Sequence, residues 1–316
     1  MGVPHSHLDI EAVKAILSKL PNLSKLSVHG IDLTSLDTSR TKNVCPASLQ
    51  YLSFRYMEIS GGLSLSSVLS YFTPVDNLEL IDVLTEQPQM LSTELDAPKC
   101  PVIQSVKLQL MDGLNRNHLV HEHIQLESLS ELHFSFSFPE QLRIIIPIIR
   151  RTPRLNHLSL VLDAFGQQPN PLAELGGWTE LNIASITSLE TLSIGFELEP
   201  PLTLEDHTIW SLAASLLSSA PSTLSNVTFS DMVLSLNWSS FREECLELLD
   251  WKLLEQSLSR FSQLRGFKIT IALLGVRDAL TASAILEKSR VIIQRQLRDL
   301  RQQGKLEVVL EARWNV

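Results

Sequence analysis

A chain of 316 residues that is 44% hydrophobic and 19% charged carries enough apolar side chain to bury a large core. Its net charge of −9 and its lack of basic runs argue against general nucleic-acid binding and against docking on anionic lipid. Cys45, Cys100 and Cys245 are odd in number and far apart, so they suggest buried, reduced thiols rather than a zinc site or redox pair.

Residues 1–8 are mostly polar and read as a flexible N-terminus. They lead into a helix without the apolar stretch or basic cluster of a secretory signal. Gly2 and Ser6 match the myristoylation pattern, but one acyl chain binds membrane only marginally, so no stable membrane association is expected. The longest apolar run, around Ile144 to Ile149, is interrupted by Pro147 and falls short of the ~20 residues of a membrane helix. A cytoplasmic or nuclear protein is the resulting expectation.

From Leu23 onward one pattern returns ten times. The first copy is Leu23-x-x-Leu26-x-Val28. Further copies begin at Leu49, Val75, Ile103, Leu129, Leu155, Leu189, Leu224 and Leu264, and a degraded one at Gln303. The steps are 26, 26, 28, 26, 26, 34, 35, 40 and 39 residues. Such a period predicts an α/β leucine-rich-repeat solenoid, a horseshoe of about ten repeats. Its parallel β-sheet would line the concave face and its helices the convex face. Residues 9–316 read as a single domain, with regular repeats to about residue 160 and longer, irregular ones over 161–316.

Within each copy the last four or five residues predict a short strand. Side chains alternate across a strand, so Leu26 and Val28 would point inward and Lys25, Ser27 and His29 outward. Stacking the next copy covers the apolar side and pairs the strand edges. Pro21, Pro46, Pro74, Pro101, Pro153 and Pro221 stand just before the motif, where proline stops a helix and favours extended chain. Helical spacing predicts helices over about 9–19, 62–72, 139–151, 206–219, 242–259 and 281–301. In the last of these, Ile285, Val291, Ile292 and Leu297 are expected to face inward. Residues 163–180, rich in Gly and Pro, read as a loop: either a tolerated insertion or a binding element presenting Phe165 and Trp178.

The outward positions form three columns. The central one runs Ser27, Ser53, Glu79, Lys107, His133, Ser159, Ser193, Thr228, Lys268 and Glu307. Five cations and three acids occupy the columns, so this face is less acidic than the whole chain. That suits an acidic partner segment, or simply a solvated strand face. Tyr51, Arg55, Lys107, His133 and His157 are the candidate protein-binding anchors, because tyrosine and arginine combine contact area with hydrogen bonds.

Catalytic chemistry finds little support. His118, His121 and His123 cluster, but a helical zinc motif would need histidine at Gln125, and solvated loop histidines explain the group. There is no phosphate-binding glycine loop and no nucleophile elbow. The expectation is a binding protein that is not an enzyme and has no cofactor or metal.

The strings Leu20–Val28 (LPNLSKLSV), Thr152–Leu160 (TPRLNHLSL) and Ile186–Ile194 (ITSLETLSI) resemble the leucine-rich-repeat region of F-box proteins of mushroom-forming fungi. The resemblance covers about residues 10–310 and implies a substrate-recognition part of a ubiquitin ligase. The asparagine that often follows the strand in such repeats is replaced by Ile31, Met57, Val83, Met111, Ser137 and Asp163. No F-box module is visible in the chain. A Skp-type adaptor and a cullin are therefore implied partners only if an F-box is supplied. A free-standing repeat scaffold, binding an unidentified protein on the concave face, is the alternative.

Overall fold

A computed structural model of the protein describes residues 6–34, 48–60, 63–72, 74–85, 102–110, 125–136, 141–162, 181, 183–198, 204–235, 243–274 and 279–313. The fold is mixed α/β, and its strands pair in parallel. It separates into two compact units. Unit 1 comprises Met1–Phe134 and Pro147–Arg154; unit 2 comprises Ser135–Ile146 and Leu155–Val316.

Unit 1 contains β1 (Ser6–Asp9), α1 (Ile10–Leu17), β2 (Lys25–His29), β3 (Ile31–Thr34), β4 (Leu49–Ile59), α2 (Leu65–Leu69), β5 (Val75–Thr85), β6 (Ser105–Leu110) and most of β7 (Glu131–Phe136). β2, β4, β5 and β6 pair so that Leu26, Leu52, Leu78 and Val106 stand in one row. Leu52, Leu78 and Val106 are fully buried, whereas Leu26 and Val28 are half-buried. β2 pairs with β4 alone among the described residues.

The expectation of a flexible segment over residues 1–8 is corrected at its end. Ser6, His7 and Leu8 belong to β1, which runs parallel to β3 in the register Ser6–Ile31 to Asp9–Thr34. Backbone donors and acceptors along the edge of β3 need partners, and this short strand supplies them.

The strands also run past the motif. β4 and β5 are 11 residues each, not four or five. A left-handed residue recurs every 26 positions, at Gly30, Tyr56 and Asp82, with φ of 65°, 51° and 48°. The turn shifts the alternation by one, so that Met57, Ile59 and Val83 enter the core after Phe54 and Leu80. Met57 and Val83, two of the residues that stand in place of a repeat asparagine, are therefore core residues. A non-glycine residue in this conformation costs roughly 1–2 kcal/mol, which the paired strand on either side offsets.

Unit 2 contains β8 (His157–Leu162), β9 (Thr191–Leu198), α4 (Leu204–Ser219), β10 (Asn226–Ser235), α5 (Trp251–Ser259), β11 (Gly266–Leu274), α6 (Ala279–Gln296), α7 (Arg298–Gln302) and β12 (Leu306–Arg313). α3 (Leu142–Arg150) is shared between the units along the chain and holds Pro147 inside it. Leu158, Leu192, Val227, Phe267 and Leu306 form one row across the five strands. Behind them Trp210 meets Phe229 at 5.6 Å and Trp251 at 4.7 Å, and Phe229 meets Phe267 at 5.4 Å, all edge to face.

Three helices differ from expectation. The segment 62–72 forms only the short α2. The stretch 242–259 breaks into a 3-10 segment, Glu243–Leu248, and α5. The break satisfies both tryptophans: Trp210 Nε1 donates to the Asp250 carbonyl at 3.0 Å and Trp251 Nε1 to that of Leu246 at 2.6 Å. Asp250 then caps α5 by accepting from the Leu253 amide at 2.9 Å. Along α6, Val291 is 55% exposed, and Ile293 fills the inward position instead.

Short hydrogen bonds join successive copies outside the strands. The residue before the first motif position donates its hydroxyl to the carbonyl that opens the preceding copy. Ser128 bonds Ile103 at 3.1 Å, Ser188 bonds Leu155 at 2.8 Å and Thr223 bonds Leu189 at 2.8 Å. These hydroxyls provide the side-chain-to-backbone bonding that an asparagine ladder would otherwise supply. Thr223→Val is expected to lower the unfolding free energy by about 1 kcal/mol, read as a lower urea midpoint at unchanged slope.

Candidate functional site

The polar face of unit 1 is built around one carboxylate. Parallel register places Ser53 of β4, Glu79 of β5 and Lys107 of β6 side by side, with Tyr51 and Arg55 two residues to either side of Ser53. Tyr51 Oη donates to Glu79 Oε2 at 2.6 Å and Ser53 Oγ does so at 2.7 Å. Arg55 donates to the same oxygen from Nε at 2.9 Å and from Nη2 at 2.5 Å. Its Nε also reaches Ser53 Oγ at 3.1 Å. Lys107 Nζ stands 2.9 Å from the other oxygen, Oε1.

Burial alone would push the Glu79 carboxyl up. Hydrogen bonds from Tyr51, Lys107, Ser53 and Arg55 outweigh it and bring the pKa down to about 2. Glu79 is therefore ionised at neutral pH and saturated with donors, which does not suit a general base. Arg55 is held more firmly protonated, first by its hydrogen bond to Glu79 and then by that to Tyr51.

The site hides the acid and shows the cations. Glu79 keeps 5% of its side chain exposed, against 40% for Arg55 and 48% for Lys107. Two cations around one carboxylate leave one positive charge in excess. The geometry presents a cationic surface whose side chains are already fixed in place, so a partner meets little side-chain entropy cost there.

Three of the five expected anchors, Tyr51, Arg55 and Lys107, meet in this cluster. His133 lies on β7 with its Nε2 3.9 Å from the Glu131 carboxylate. His157 belongs to unit 2, where it opens β8 opposite Thr191. The residues overlooked in the sequence are Glu79 and Ser53, both in the central column expected to be solvent-facing. Ser53, Glu79, Ser159 and Ser193 of that column are buried. Tyr51 and Arg55 of the flanking columns reach over Ser53 to Glu79.

Among the described residues no group of three His, Cys, Asp or Glu side chains could hold a metal. His118, His121 and His123 lie outside the described residues, as do Gly2, Cys45, Cys100, Phe165 and Trp178. No described helix is long and apolar enough to cross a membrane. No family model matches the chain, and no curated protein matches it.

Proposed function

We propose that the protein is a protein-binding module built as a leucine-rich-repeat solenoid, with the Tyr51, Arg55 and Lys107 cluster as its reading surface for an acidic partner segment. The supporting observation is the arrangement around Glu79, which orders one tyrosine and two partly exposed cations on the polar sheet face. Tyrosine and arginine held in this way are the residue types that dominate binding hot spots. The horseshoe shape, the concave placement of this face and the count of about ten repeats belong to the same reading. They rest on the motif spacing and on the parallel register of its copies.

The narrower role is substrate recognition within an F-box-type ubiquitin ligase. It rests on the resemblance of the repeat strings. A free-standing scaffold is the alternative, and the two differ in the subunits they must bring with them. Affinity capture of the tagged, endogenous protein followed by mass spectrometry separates them. The ligase role expects a Skp-type adaptor and a cullin among the captured proteins. Partners captured reproducibly without either subunit would contradict it and favour the scaffold.

A further inference from the structure

A second site lies in unit 2, at its last strands. The opening ends of β10, β11 and β12 surround a cavity of about 380 Å³. Gly266 forms part of its wall. The equivalent position in the neighbouring copies carries His157, Thr191 and Asn226, and at 266 the side chain is missing. A Cβ added there would meet nothing within 4 Å, so the missing side chain leaves open space.

The wall of this cavity is basic. Arg265, Lys268 and Lys305 line it, together with Glu307, Thr228 and Asn226. Lys268 is paired with Glu307 at 3.4 Å. Arg265 and Lys305 have no ion-pair partner among the described residues. Two cations without an ion-pair partner among the described residues thus line one opening in a chain of net charge −9. Like charges crowded at a cavity cost free energy unless an anion joins them.

We propose that this cavity binds a phosphate monoester dianion. A phosphorylated group carries about −1.5 to −2 charges near pH 7 and three acceptor oxygens. It matches Arg265 and Lys305 in charge, whereas a single carboxylate neutralises only one of them. Arg265 supplies a planar fork of donors suited to phosphate oxygens, and Lys305 a point charge. Thr228 and Asn226 add neutral polar groups to the wall. The volume exceeds that of the anion and leaves room for its carrier. The site is independent of the Glu79 cluster, so either assignment stands or falls alone.

Calorimetric titration of the full-length protein at low salt tests it with three probes. They are inorganic phosphate, a short neutral peptide with a central phosphoserine, and the same peptide with glutamate in that place. Both phosphate probes are expected to bind, and the glutamate peptide at least about tenfold more weakly than the phosphopeptide. A phosphopeptide tighter than inorganic phosphate assigns the dianion to a protein side chain; equal affinity assigns it to a small molecule. Gly266→Glu fills the open space with a carboxylate and is expected to reduce phosphate affinity by at least about tenfold. The urea midpoint of that variant shows whether it folds, and Lys305→Gln replaces it if it does not, with a loss of severalfold expected. Failure of both phosphate probes to bind the wild type would overturn the proposal. So would equal binding of the glutamate peptide, or unchanged phosphate affinity in the folded variant.

Discussion

Leu158→Asp is expected to unfold the β8 and β9 region of unit 2 at neutral pH. Leu158 is fully buried in β8 and pairs in register with the equally buried Leu192. Truncating a buried leucine costs roughly 2–5 kcal/mol through lost transfer energy and the cavity left behind. The new carboxylate adds several kcal/mol more, because no cation or donor is placed to meet it in this apolar row. The total is comparable with the whole stability of a typical domain, about 5–15 kcal/mol. In a stack where each copy rests on its neighbours, the damage starts locally. Hydrogen exchange read by mass spectrometry should show the amides of β8 and β9 losing protection first. Leu158→Met, which keeps the volume, should cost less than about 1.5 kcal/mol. Native protection in the aspartate variant would contradict the assignment of this row to the core.

The second large effect is a pH dependence carried by Glu79. Its carboxyl is lowered from 4.5 to about 2 in the folded protein. A group with a depressed folded pKa binds its proton more readily in the unfolded chain. Its contribution is therefore full above about pH 4.5 and is lost as the pH falls through about 2. The size is roughly 3 kcal/mol, from the conversion of 1.36 kcal/mol per pKa unit. Every other carboxylate also responds to acid, so the useful quantity is the difference between wild type and Glu79→Gln. That difference in urea-derived stability should shrink by roughly 3 kcal/mol between about pH 5 and pH 2. A difference that stays constant over this range would mean that Tyr51, Ser53, Arg55 and Lys107 do not hold the carboxylate as the structure shows.

The strand rows were legible because burial leaves a strong signal. Leu52, Leu78 and Val106, and Leu158, Leu192, Val227 and Phe267, pair as the motif spacing predicts. An apolar residue at every second position has one stable place, the covered face of a sheet. Positions set by polar competition were harder to read. The left-handed turns at Tyr56 and Asp82 leave little trace in residue type, since tyrosine rarely adopts that conformation. The break before α5 did carry a sign, Asp250 as a helix cap, but the apolar run around it reads as one continuous helix. β1 is too short for a periodicity to show.

The candidate site was half legible. Tyr51, Arg55 and Lys107 could be chosen for their residue types. Glu79 stands in the sequence as one acid among the outward columns, although the register sets it between Ser53 and Lys107. The missing step was physical. An acid surrounded by two cations and two hydroxyls is drawn under them, and it fixes them in turn. It follows that replacing Tyr51 and Arg55 alone by alanine strips donors from a buried charge. The stability cost is expected to be about 1–3 kcal/mol.

The most direct test of the reading surface removes that complication. Tyr51→Ala and Arg55→Ala are combined in a Glu79→Gln background, so that no unpaired carboxylate remains. Tagged wild type, Glu79→Gln alone and the triple variant are each confirmed as folded by circular dichroism and used for quantitative capture from the same lysate. The proposed reading surface predicts a set of proteins recovered reproducibly with the wild type and depleted at least about tenfold by the triple variant. Recovery of the same proteins in the same amounts with all three would contradict it and place the binding surface elsewhere on the molecule.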